Sequence, residues 1–180
     1  GSALQAFATQ EIFKQHGCEI TIINYVRENV RFKNLLKTWS HGNIIKAVAI
    51  FPTILRWRKV FSDFTGNYLN LSDKEYTTED DFEKYPLEAD AYCTGSDQVW
   101  NSKWNEGILP CLYLSFVPKK YYKFSFSSSF GQDHLSADEI KKTKPYLDEY
   151  KKISVREDTA VKILDEQYHI KNGIHLVDPT

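Results

Sequence analysis

Ala91-Tyr92-Cys93-Thr94-Gly95-Ser96-Asp97-Gln98-Val99-Trp100-Asn101 sets a short apolar run directly against a glycine, a hydroxyl and a carboxylate. The run follows a loop containing Pro86, so it reads as a strand that ends in a sharp turn. Gly95 lets the backbone come close to a ligand. Ser96 and Asp97 offer a hydroxyl and a carboxylate at the strand exit, and Trp100 and Asn101 add a flat apolar surface and an amide within one helical turn. The stretch reads as a site rather than a plain turn.

Upstream, apolar residues at positions 3, 4, 7, 8 and 12 have helical spacing, and His16-Gly17 closes the helix. A strand over Glu19–Tyr25 follows, so the chain opens on the second half of a strand-helix-strand unit. Residues 31–64 predict one or two basic helices, broken near Gly42 and Pro52. They set Phe32, Trp39, Phe51, Trp57, Phe61 and Phe64 among Arg31, Lys33, Lys37, Lys46, Arg56, Arg58 and Lys59. Such a segment either packs through an apolar face with its charges in water, or works against a membrane surface or an anionic lipid-linked or polymeric substrate. The acidic run Asp73–Asp90 predicts a solvated loop and a short helix, without the spacing of an EF-hand loop.

Downstream, Tyr113–Val117, ended by Pro118, and Lys123–Ser127, alternating with period two, carry strand signals. Ser136-Ala137-Asp138-Glu139 has the form of a capping box opening a helix. Ile153–Val155 predicts a strand, Asp158 or Thr159 caps a helix carrying Val161, Ile163 and Leu164, and Ile174–Val177 predicts a last strand. Strands alternating with helices indicate a parallel α/β sheet with helices on both faces, which binds ligands outside the carboxyl ends of its strands. Four polar clusters fall at those ends: Gly95-Ser96-Asp97, Ser127-Ser128-Ser129, Arg156-Glu157 and Asp178.

Composition bounds the function. The 180 residues are 42% hydrophobic and 26% charged, which suits one folded core. Net charge is −1, against a general nucleic-acid binder, but residues 1–60 carry +6 and residues 61–101 carry −8. Cys18, Cys93 and Cys111 are an odd number without metal spacing and predict a reducing, cytoplasmic setting. No apolar stretch is long enough to span a bilayer. The five histidines show no ligand spacing, no GxGxxG or GxxxxGK[ST] occurs, and no metal site is expected.

Each candidate has a structural reading beside the functional one. Asp97 is a base or ligand-binding carboxylate, or the cap of a helix over Val99–Trp104. Trp100 stacks on a ligand or fills the core. Ser127, Ser128 and Ser129 donate to an anion at a helix start or merely build a turn. Arg156 grips a carboxylate or phosphate, or pairs with Asp97, Glu157 or Asp178.

Gly1-Ser2-Ala3-Leu4-Gln5-Ala6-Phe7-Ala8-Thr9-Gln10, Gly95-Ser96-Asp97-Gln98-Val99-Trp100-Asn101, Ser128-Ser129-Phe130-Gly131, Ile153-Ser154-Val155-Arg156-Glu157 and Val177-Asp178-Pro179-Thr180 together resemble the polysaccharide pyruvyl transferase family in order and spacing. The resemblance favours Gly1-Ser2 as native over the alternative of a cloning scar. One departure is Asn24-Tyr25, where an acidic residue before the tyrosine is expected; no ribose-binding role follows there.

The resemblance implies a two-lobed, GT-B-like transferase with its active site between Rossmann-like lobes. Residues 1–180 would form the single N-terminal lobe, with 31–64 a basic aromatic helical insertion and the first strand and C-terminal lobe outside the chain. It implies transfer of a pyruvate ketal from phosphoenolpyruvate, as co-substrate and without a cofactor, to a sugar of a surface polysaccharide or its precursor. Asp97 would be the catalytic base, and Gly95, Ser96, Trp100, Asn101, Ser127, Ser128, Ser129, Arg156 and Asp178 would bind substrate. The expected partners are a sugar or lipid-linked oligosaccharide acceptor and the protein's own C-terminal lobe, with no nucleic acid and at most peripheral contact with the inner face of the membrane. The isolated lobe is expected to be inactive. The rival readings are a nucleotide-sugar glycosyltransferase lobe and a non-catalytic sugar-binding module.

Overall fold

The computed structural model describes residues 2–27 and 30–180; Gly1 lies outside the described residues, as does the side chain of Lys33. The chain is mixed α/β, built from short parallel strand pairs and helices. It divides into two compact units, one of residues 1–12 and 86–180, the other of residues 13–85, where the sequence suggests one. The opening helix α1 spans Ser2–Gln15.

In the second unit, β1 (Ile22–Tyr25) pairs in parallel with β2 (Leu71–Tyr76). The strand β2 falls partly in the acidic run read as a loop. Its sequence Leu-Ser-Asp-Lys-Glu-Tyr has little strand propensity, and only Ser72 and Tyr76 turn inward. Tyr76 stacks on Phe82 of α4 (Glu79–Lys84), with ring centroids 4.5 Å apart. That helix is the predicted short one, and its Thr78–Asp81 capping box is complete. The basic segment forms α2 (Phe32–Ser40) and α3 (Ile44–Tyr68). The break near Gly42 occurs at a left-handed His41-Gly42 turn, but Pro52 does not end a helix. Pro52 is exposed on α3, so water can satisfy the carbonyl one turn earlier that loses its donor.

In the first unit, β3 (Ala91–Thr94) pairs in parallel with β4 (Tyr122–Ser125), and β5 (Ile153–Val155) with β6 (Gly173–His175). Two isolated parallel bridges, Phe124 to Lys152 and Ser128 to Val155, join β4 to β5. Between them the β4 side carries one residue more than the β5 side, and Ser127 takes up the excess with φ +54°. Hydroxyls replace the missing ladder bonds. Ser125 Oγ donates to the Ser154 carbonyl at 2.9 Å, Ser154 Oγ to the Ser125 carbonyl at 2.8 Å, and the Ser127 amide to Ser154 Oγ at 3.0 Å. The serine-rich run is thus first of all a bulge repaired by side chains.

The core of this unit gathers Tyr92, Trp100, Tyr113, Leu114, Phe130, Leu147, Val155, Leu164 and Tyr168. The apolar run at Tyr113–Val117 feeds this core from a turn, not a strand, because Leu114 is left-handed with φ +55° after the 3₁₀ turn Pro110–Tyr113. Ser136 caps α5 (Ala137–Leu147) by accepting the Glu139 amide at 3.2 Å. The reciprocal half of that box does not form; the Glu139 side chain is buried instead. Neither Asp158 nor Thr159 caps α6 (Asp158–Lys162), since Glu157 occupies the cap position, and a π-helical turn over Ile163–Gln167 extends it. A lysine lies inside as well: Lys123 on β4 is buried, with Nζ donating to the Leu114 carbonyl at 3.1 Å and pairing with Glu149 at 2.6 Å.

Candidate active site at the strand ends

All four strands of the first unit are parallel within their pairs and bridges, so their carboxyl ends share one edge. The four polar clusters read from the sequence meet there. Ser96 Oγ donates to Asp178 Oδ2 at 2.6 Å, and Arg156 NH1 reaches the same oxygen at 3.3 Å. Arg156 Nε donates to Glu157 Oε1 at 2.7 Å, which also accepts from Ser129 Oγ at 2.8 Å. The Ser129 amide donates to the Asp97 carbonyl at 3.0 Å. The Arg156 amide joins this edge through the Ser128 carbonyl at 3.1 Å.

Asp97 stands half-buried at the head of the cluster. Its Oδ1 accepts the neighbouring Gln98 amide at 2.8 Å, and its Oδ2 accepts Ser2 Oγ, from the first turn of α1, at 2.5 Å. It does not cap a helix. Residues 96–106 form successive turns, and the capping geometry belongs to Asn101, whose Oδ1 accepts the amides of Lys103 and Trp104, both at 3.1 Å. Asn101 Nδ2 is used on Gln98 Oε1 at 2.9 Å and the Gly131 carbonyl at 3.4 Å, so its amide serves the turn, not a ligand.

Several expected ligand contacts give way in the same manner. Trp100 is wholly buried, stacked on Tyr113 at 5.8 Å and packed against Phe130 and Tyr150, and has no face for a sugar. No helix starts at Ser127-Ser128-Ser129 to hold an anion, and all three serines are buried. Ser127 Oγ donates to the Val177 carbonyl at 2.8 Å, and Ser128 Oγ to the Thr94 and Gly95 carbonyls, both at 3.0 Å. Ser96 is equally enclosed. Gly95 is small because α1 crosses it: a Cβ there would lie 3.2 Å from Gln5 Nε2. What remains open to solvent is a rim of Ser2, Asp97, Arg156, Glu157 and Asp178.

The electrostatics of the rim follow from these bonds. Burial works against ionisation of Asp178, but hydrogen bonds from Ser96, Thr180 and Arg156 outweigh it and pull the carboxyl down to about 2 from an ordinary 3.8. Burial likewise disfavours the Arg156 cation, and the bonds to Glu157 and Asp178 more than offset it, raising its pKa. One arginine therefore sits between two carboxylates, its side chain 24% exposed. Glu157 Oε2 is buried without a hydrogen-bond partner among the described residues, an acceptor whose desolvation is unreturned.

The sequence offers Glu157 only as a member of a strand-end cluster and a partner for Arg156, and gives Ser2 and Ser154 no site role. The signal for Glu157 was its place beside Arg156 at a strand end; for Ser154, the inward register of β5; for Ser2 nothing local could reveal a bond to a residue 95 positions away. Among the described residues no group of three His, Cys, Asp or Glu is placed to hold a metal ion. Two open depressions of about 400 and 450 Å³ lie at the other edge, lined by Lys119, Glu149 and Lys151 and by Tyr150, His169 and Asn172. These residues precede or lie away from the strand exits, where parallel sheets bind ligands.

The family model of polysaccharide pyruvyl transferases matches residues 1–180, the whole chain. The chain belongs to the polysaccharide pyruvyl transferase family. No curated protein and no solved structure matches the chain. Its family is one of transferases, which makes the strand-end rim the natural place to look for group-transfer chemistry.

Proposed function

We propose that this chain contributes one side of the active site of an enzyme that transfers pyruvate from phosphoenolpyruvate, as a ketal, to two hydroxyls of a sugar in a surface polysaccharide or its precursor. Protonation of the methylene carbon makes the methyl group, the two sugar oxygens bond to the adjacent carbon, and the carbon–oxygen bond to phosphate breaks. Of the two hydroxyl protons lost, one balances the proton taken up by carbon and the other leaves with phosphate. Asp97 is the base that accepts a sugar hydroxyl proton.

The observation that carries this reading is the position of Asp97: a half-buried carboxylate at a parallel-strand exit, held through Oδ2 by one exposed serine hydroxyl that a sugar hydroxyl could replace. Arg156, fixed by Glu157 and Asp178, presents its remaining guanidinium edge toward an anionic group of a substrate. Ser96, Ser127, Ser128 and Ser129 act behind the rim, holding it in place. The donor phosphate and the rest of the site belong to a second, GT-B-like lobe of the complete protein. The test is phosphate release from phosphoenolpyruvate in the presence of sugar acceptors, using the complete protein. Acceptor-dependent release supports the proposal; turnover with nucleotide sugars and none with phosphoenolpyruvate refutes it.

A further inference from the structure

The helix α3 is apolar on two sides. One side, with Ile54 fully buried and Trp57 packed on Trp39 at 6.1 Å, faces α2. The other carries Ile44, Val48, Phe51 and Leu55 at spacings of four, three and four residues, a stripe whose Phe51 borders α2 and meets the Phe32 ring edge-on at 5.4 Å. Their exposures are 80%, 71%, 41% and 47%. Ile45, Val60 and Phe61 are exposed on the same helix, and Trp39 on α2. Isolated exposed apolar residues are ordinary; a four-row stripe is not.

Charge says what covers it. Residues 32–68 hold six Lys and Arg (Lys33, Lys37, Lys46, Arg56, Arg58, Lys59) against one acid, Asp63, a net of +5 in a chain whose total is −1. Lys59 stands four residues beyond Leu55, so the stripe runs into a cation on the same face, while Arg58, three beyond, lies over the Phe32 ring of α2 at 5.4 Å. An isologous dimer through this face would set two such cationic surfaces against each other. A bilayer with anionic headgroups accepts both features: the apolar stripe enters the interface while the long basic side chains reach the headgroups. Among the described residues no helix is long and apolar enough to cross a membrane, and α3 carries five charges along its 25 residues.

We infer that α2 and α3 form a docking element that lies flat on an anionic membrane surface through the Ile44-Val48-Phe51-Leu55 stripe. The inference is independent of the transfer chemistry, and its test needs no substrate. The full chain is sedimented with vesicles of phosphatidylcholine alone and of phosphatidylcholine with phosphatidylglycerol, at low and high salt. Binding is expected only to the phosphatidylglycerol vesicles, weakening with salt. The double variant Ile44→Glu/Val48→Glu changes two highly exposed side chains, so it keeps the wild-type circular dichroism and should lose binding. Lys59→Gln should weaken it about fivefold. Salt-insensitive binding, binding that survives Ile44→Glu/Val48→Glu, or no binding at all overturns the inference. So does a chain that sediments as a dimer in solution and becomes monomeric in the double variant, which would assign the stripe to a second copy.

Discussion

At the strand ends of the first unit, Ser96, Ser127, Ser128 and Ser129 are buried with their hydroxyls donated to carbonyls and carboxylates of the same unit. On α3 of the second unit, Ile44 and Val48 stand in water with an apolar row continuing behind them. Serine hydroxyls are satisfied inside one region, and apolar side chains are uncovered outside the other. A buried, fully bonded hydroxyl argues for architecture even where its sequence looks like a ligand site. An exposed apolar stripe argues for an absent surface even where its periodicity looks like an ordinary core face.

Substitutions can break that contrast. The largest effect is expected at Trp100→Ala, which empties the aromatic core and should cost about 3–5 kcal/mol in denaturant unfolding. Ser128→Ala leaves the Thr94 and Gly95 carbonyls without their shared donor, and should cost about 1–2 kcal/mol. A change near zero there would mean the hydroxyl is spare after all.

Acid should reach the cluster through Asp178. Its carboxyl ionises lower in the folded chain than in the unfolded one, so its stabilising contribution is complete above the ordinary value near 3.8 and is lost as pH falls toward about 2. The loss should be on the order of 1 kcal/mol for a partly exposed group, and Ser96→Ala should flatten it. Denaturation midpoints across that window measure both. The smallest effect is expected on α3: Ile44→Ala should change stability by less than about 0.5 kcal/mol, because the side chain has no packing to lose.

Much of this was legible in the residues, and the failures have physical causes. The β5 strand, the Ser136 cap and the meeting of four polar clusters at one edge follow from local alternation, a capping preference and the shared direction of parallel strands. Hidden was the bulge at Ser127, where one extra residue turns a hydroxyl-rich run from apparent ligand into ladder repair. The strand Leu71–Tyr76 escaped because pairing with β1, not propensity, holds it. Pro52 misled because an exposed helix face can leave a carbonyl to water. Buried Trp100 and exposed Ile44 show the deeper limit: both sit in apolar patterns, and only tertiary packing decides which is covered.

The most direct measurement is the rate of phosphate release from phosphoenolpyruvate by the complete protein and its Asp97→Asn variant, with a productive sugar acceptor. Asparagine can keep the Gln98 amide bond, so the variant should unfold at the same denaturant concentration as the parent. A lost base should lower kcat by about a hundredfold or more. An Asp97→Asn enzyme that folds normally and retains full turnover would contradict the assignment of the strand-end rim as the place where the sugar is activated.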